Sequence, residues 1–179
     1  MNANRLIIRT GIGLFFITIV IFFVLYFLFS TRGSISDADY FNYSAYLNCF
    51  VMPILYAGTG FFCIYQGAKV QPLTFGQGWK MAFLPQFIGG LLSLSFIFIF
   101  FNTTGSWAED SLQRGWYDLM TANPNPEFME KNEEMVKAMT NSDINMFTWK
   151  TFFISFSVIL FFYFLISSIF AIFLKNRKV

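Results

Sequence analysis

The chain has 179 residues, of which 56% are hydrophobic and 12% charged, with 27 phenylalanines and no histidine. That charged share is about half of what a soluble domain carries, which excludes an ordinary water-soluble globule. The formal net charge of +2 gives no basis for a nucleic-acid partner, and the lack of histidine removes the commonest general base and metal ligand.

The apolar residues are clustered into uncharged runs. The first is GIGLFFITIVIFFVLYFLFS, 11–30. A helix rises about 1.5 Å per residue and a bilayer's hydrocarbon is about 30 Å thick, so about 20 residues are needed to cross it. The run meets that length, and it is longer than the hydrophobic stretch of a cleaved signal peptide, with no small-residue cleavage pattern after it. It therefore reads as a permanent membrane helix.

A short connection with Arg32, Asp37 and Asp39 follows. The two aspartates lack the further ligands of a calcium loop. The second run is SAYLNCFVMPILYAGTGFFCIYQ, 44–66. Its cysteines, Cys49 and Cys63, fall about 21 Å apart on a helix, too far to bridge each other. Pro53 removes a backbone donor, predicting a kink.

The next connection, GAKVQPLTFGQGWK, has glycine and lysine spacings that match neither a phosphate-binding P-loop nor a dinucleotide fingerprint. It reads as a turn at a membrane surface, with Gly67 and Pro72 stopping one helix and Thr74 capping the next. Trp79 suits the interfacial belt, and Lys80 can snorkel. The third run, MAFLPQFIGGLLSLSFIFIFFN, spans 81–102 and holds Pro85.

The segment 103–151 is soluble in character and splits at NPNP. Before the split, Leu112, Trp116 and Leu119 recur at helical spacing; after it, Phe128, Met135 and Met139 share a helical side opposite several glutamates. The plainer reading lays both helices on the outer bundle or the headgroups, apolar side down. The sharper reading makes Trp116, Phe128, Met135 and Met139 a face for a partner, since methionine surfaces adapt to varied ligands. The last run, FFISFSVILFFYFLISSIFAIFL, spans 152–174 and leads into the basic tail KNRKV.

The charges sort by side. Arg5, Arg9, Lys69, Lys80, Lys175, Arg177 and Lys178 share one side with no acidic residue, while all ten acids fall on the other. Because short basic segments stay in the cytoplasm, both termini are expected there, in a bacterial inner membrane. The stretch LTFGQGWK with its flanks, the acidic external segment ahead of a Phe-rich last helix, and the basic tail together resemble a bacterial membrane family catalogued only as a domain of unknown function. The likeness runs from the first helix to the tail. It implies four membrane helices, no assigned activity and no functional residue to carry over.

The expected fold is all-α: one membrane domain over 1–179, a four-transmembrane-helix bundle with a helical extracytoplasmic segment between helices three and four. Helices in lipid associate at small residues. Gly58 or Gly60 is therefore expected against a surface of Gly89, Gly90 and Ser93, and Ser167 with Ala171 is expected to give the last helix a close-contact face. Nothing pairs a nucleophile with a base, so no catalytic residue, cofactor or metal site is assigned. The functional expectation is a non-enzymatic interaction or accessory component, partnered by the bilayer and by another membrane or extracytoplasmic protein. The alternative is a subunit of a small transporter or pore, lined by Asn48, Thr59 and Gln86 on proline-interrupted helices. Against it, no run holds the buried charge that coupled carriers use.

Overall fold

The computed structural model describes residues 3–31, 35–122 and 148–176. In chain order these form α1 (Ala3–Thr31), α2 (Asp37–Tyr46), a π turn (Leu47–Val51), α3 (Met52–Val70), α4 (Phe75–Phe101), α5 (Ser106–Thr121) and α6 (Trp149–Leu174). The segment from α2 through α3 is one rod of 34 residues. Among the described residues it joins α1, α4 and α6 as four helices long and apolar enough to cross a membrane. Their outward faces carry large apolar side chains such as Phe16, Val20, Ile54, Val158, Phe161 and Ile172. Hydrocarbon accepts such a surface; water does not.

The second rod starts at Asp37, seven residues before the apolar run that announces it. The local cause is a cap: the Ser36 hydroxyl accepts from the Asp39 amide at 3.1 Å and donates to the Asp39 carboxylate at 2.7 Å. Asp37 and Asp39 also lie in the first turn, where negative charge suits the helix dipole. At about 51 Å the rod is longer than hydrocarbon is thick, so the mixed sequence of α2 projects past the apolar 44–66 stretch. Just ahead of Pro53 the hydrogen-bond ladder widens, with the Met52 amide donating to the Leu47 carbonyl. The turn that loses a donor to proline thus becomes a π turn.

Gly67 does not stop α3. It is buried inside the helix beneath the Met81 side chain, and α3 runs on to Val70 before Gln71 turns extended. Thr74 then starts α4 with a full capping box: its hydroxyl accepts from the Gln77 amide, and the Gln77 side chain accepts from the Thr74 amide at 3.0 Å. Trp79 stacks on Phe83 and meets Phe164 of α6 edge-on.

Helix α4 is the centre of the bundle, in contact with α1, α3 and α6. Its buried residues include Gly78, Ala82, Gly89, Gly90 and Ser93, small enough for three neighbours to approach its backbone. Neighbours were expected chiefly in α3; α1 packs along α4 just as extensively. The ring pairs Phe98–Phe152, Phe87–Phe156 and Phe83–Phe164 set α6 antiparallel to α4.

At one end, Ile7, Cys63, Ala68, Leu73, Met81 and Ala171 form a core, and the Asn176 amide donates to the Leu73 carbonyl at 3.0 Å. The start of α1, the α3–α4 turn and the end of α6 thereby share a basic end with Arg5, Arg9, Lys69, Lys80 and Lys175. At the opposite end, Tyr40, Phe101, Ala108 and Leu112 form a second core with Phe22, Tyr26 and Trp107 against it. Replacing Thr74 by Ala removes half of the capping box and is expected to lower stability by about 1 kcal/mol, read as a lower midpoint in thermal unfolding of the purified protein.

Candidate functional site

Half-way along the bundle the core turns polar. Thr18 of α1, Tyr56 of α3, Gln86 and Ser93 of α4, and Tyr163 and Ser167 of α6 are all buried. All four long helices contribute, and none of the six residues is charged. Thr18 Oγ1 lies 2.9 Å from the Leu14 carbonyl and 3.2 Å from the Tyr56 hydroxyl, tying α1 to α3. The Tyr56 and Tyr163 rings stack with centroids 5.3 Å apart.

Glycines make room for these groups. A Cβ on Gly60 would run into the Gln86 amide and the Ala82 carbonyl, so Gln86 lies directly on the α3 backbone. Gly89 takes Leu14 of α1, and Gly90 lies under the Tyr56 ring. Ser93 is buried on the same stripe of α4, near the Tyr56 phenol but without a hydrogen bond to it. Gly58 is elsewhere: it is exposed, and a Cβ there would meet nothing within 4 Å. The structure therefore sets Gly60 of α3 against α4, turns Gly90 and Ser93 of α4 toward α3, gives Gly89 to α1 and leaves Gly58 on the outer surface. On α6, Ser167 and Ala171 are both buried, with Ala171 against Gly78.

The polar side chains of the long helices divide sharply. Thr59, Ser157 and Ser168 return their hydroxyls to the carbonyl four residues earlier, at 2.7–2.9 Å. Ser93 and Ser167, together with both side-chain amide atoms of Gln86, are buried without a hydrogen-bond partner. Unmade hydrogen bonds of this kind are expensive in an apolar interior. Of the polar residues expected to line a path, only Gln86 is in the seam; Asn48 is exposed and bonded to the Ser44 carbonyl at 2.9 Å. Thr18, Tyr56 and Tyr163 gave no sequence signal, because a tyrosine or threonine in an apolar run reads the same facing lipid or facing a helix.

A second assembly lies at the α5 end. Helix α5 buries Ala108, Ser111, Leu112 and Gly115, the i, i+3, i+4, i+7 positions of one face, and presses that face on α2. Gly115 is required by close approach, since a Cβ would enter the Asp37 carbonyl. This corrects the expected Leu112, Trp116, Leu119 face: Leu119 is 37% exposed and Trp116 only half-buried. The small residues decide because α2 comes too near for large ones. Phe128, Met135 and Met139 lie outside the described residues.

Polar contacts fix α5 in place. Arg114 Nε donates to Asp37 at 2.6 Å, the Ser111 hydroxyl donates to the other carboxylate oxygen, and Trp107 Nε1 donates to the Tyr26 hydroxyl at 2.6 Å. Asp37 lies on the projecting part of the rod. Burial pushes its carboxyl up, but the hydrogen bonds from Arg114 and Ser111 and the Arg114 charge outweigh this and hold it below the ordinary 3.8. No three His, Cys, Asp or Glu side chains gather to hold a metal ion among the described residues. What the seam and clamp offer is neutral hydrogen bonding inside and a rigid polar clasp outside.

A family model described as a protein of unknown function (DUF4199) matches residues 9–176. The chain belongs to the DUF4199 family. All of the seam and the whole α2–α5 clasp fall inside the matched DUF4199 region. No curated protein and no solved structure matches the chain.

Two outcomes test this geometry. Gly60→Val is expected to destabilise the bundle by about 1–3 kcal/mol through overpacking, whereas Gly58→Val changes the unfolding free energy by no more than about 0.5 kcal/mol. For the clasp, a carboxyl lowered in the folded state contributes stability above the ordinary carboxylate value and loses it as pH falls through the lowered one. Amide exchange across 106–121 is therefore expected to rise as pH drops below 3.8, after correction for intrinsic rates. Asp37→Asn should abolish that dependence; because the pair is partly exposed, the stability involved is on the order of 0.5 kcal/mol.

Proposed function

We propose that this DUF4199 chain is a non-enzymatic interaction or accessory component of a bacterial inner membrane, with both termini cytoplasmic and α5 on the extracytoplasmic side. The α2–α5 clasp carries the reading. A helix that only needs to cross hydrocarbon has no use for seven further residues capped by Ser36 and bolted to a second helix by Asp37, Arg114 and Ser111. Such a clasp holds a fixed surface clear of the headgroups, where a partner can bind. The orientation draws on charge: Arg5, Arg9, Lys69, Lys80 and Lys175 share one end, as cytoplasmic segments do. The non-enzymatic part draws on residue type, since a chain with no histidine and a seam of amide and hydroxyl groups supplies no matched acid and base.

The seam favours a second reading, a subunit of a small transporter or pore. It takes a residue from every long helix and lies beside Pro85, as sites in broken-helix carriers do.

Affinity purification from the native membrane separates the readings. The interaction role predicts a stoichiometric partner that is lost on deleting 106–145 and weakened by Asp37→Asn. A pore predicts solute flux in liposomes that survives the deletion, and turnover by the purified protein alone would replace both with an enzyme.

A further inference from the structure

Helix α1 has two unlike sides. Ile7, Gly11, Leu14 and Thr18 are buried at steps of four, three and four residues, which is one side of a helix. On the opposite side Arg5, Arg9, Ile12, Phe16 and Val20 follow at steps of four, three, four and four, and all five are exposed. The outward stripe thus carries two cations at the basic end and apolar groups beyond them.

The chain offers those cations no counter-charge. Residues 1–36 hold no acid, and neither do 40–108 or 144–179, which supply the other helix ends beside them. Among the described residues the one ion pair, Arg114 with Asp37, is at the far end of the bundle. The first turn of α1 also has no acid, so the positive end of its dipole adds to the guanidiniums. Lys69 at the same end differs, with its ammonium 4.5 Å from the centre of the Tyr65 ring.

We propose that this stripe holds one anionic phospholipid, with Arg5 and Arg9 on its headgroup phosphate and Ile12, Phe16 and Val20 along an acyl chain. Charge and length select the occupant. Helical side chains lean toward the N-terminus, so Arg9 reaches back toward Arg5, one turn or about 6 Å away, and two planar forks converge on one phosphate. From Arg9 to Val20 the helix rises about 16 Å, close to the hydrocarbon depth of one leaflet, about 15 Å. A soluble phosphate would use the arginines and leave the apolar column idle. A zwitterionic lipid brings an ammonium to the same place, where the guanidiniums repel it, so a headgroup of net negative charge is preferred. The site stands on α1 alone and rests neither on the external clasp nor on the accessory role.

Native mass spectrometry of the intact protein released from detergent micelles tests it, with phosphatidylglycerol, phosphatidylcholine or inorganic phosphate added. Arg5→Gln, Arg9→Gln and Lys69→Gln each remove one positive charge from an exposed position at the same end and leave six of its seven bases to fix insertion. Phosphatidylglycerol is expected to bind about tenfold more tightly than phosphatidylcholine and to stay bound in excess inorganic phosphate. Either arginine variant should weaken it by about fivefold, and Lys69→Gln by less than about twofold, because a distant exposed charge is screened. Equal affinity for the two lipids, displacement by inorganic phosphate, or an equal loss in all three variants would overturn the proposal and leave only a diffuse basic rim.

Discussion

Lipid tails are as apolar as leucine, so long apolar helices gain nothing from hiding from them; they hold together by how closely their backbones approach. In this molecule that approach is made almost entirely to α4. Gly89 admits Leu14 from α1, Gly90 admits the Tyr56 ring from α3, and Gly78 admits Ala171 from α6. A side chain at Gly89 would push Leu14 outward, and one at Gly78 would press on Ile64 of α3. The hydrogen-bonding residues are buried because the glycines are there, and the chemistry at mid-membrane follows from packing.

The two ends solve different problems. At the basic end the chain closes on itself: the α3–α4 turn is capped by Thr74 and Gln77, and its Leu73 carbonyl is taken by the Asn176 amide from beyond α6. The result is compact and stays near the helix ends. At the other end α2 carries on past the apolar stretch, and α5 folds back onto it through a face of small residues, a carboxylate clasp and the Trp107 to Tyr26 hydrogen bond. Aromatic stacking from Tyr26 and Tyr40 onto Trp107 links that clasp to the top of α1.

The two proprietary features of α4, a proline inside the helix and buried polar atoms beside it, come within two residues of each other. Neither is unusual in a membrane helix. Their adjacency places a lost backbone hydrogen bond next to the unpartnered Gln86 amide.

Much of this was open to reading from residues alone. Four uncharged runs of spanning length, the distribution of bases and acids, the cap at Thr74 and the break at Pro53 follow from periods, lengths and local hydrogen bonding, which need no knowledge of neighbours. Local signals also misled: Gly67 reads as a helix stop but serves a close approach to Met81, and of Leu112, Trp116 and Leu119 only Leu112 is in the face that α5 buries. What only the tertiary structure decided is which side of each apolar helix faces protein. Gly58 and Gly60 are two residues apart and chemically identical, yet one is open to the outside and the other lies under Gln86. In a run apolar on every side no amphipathic pattern separates inward from outward positions, so the seam, unlike the spans, exists only once the helices have met.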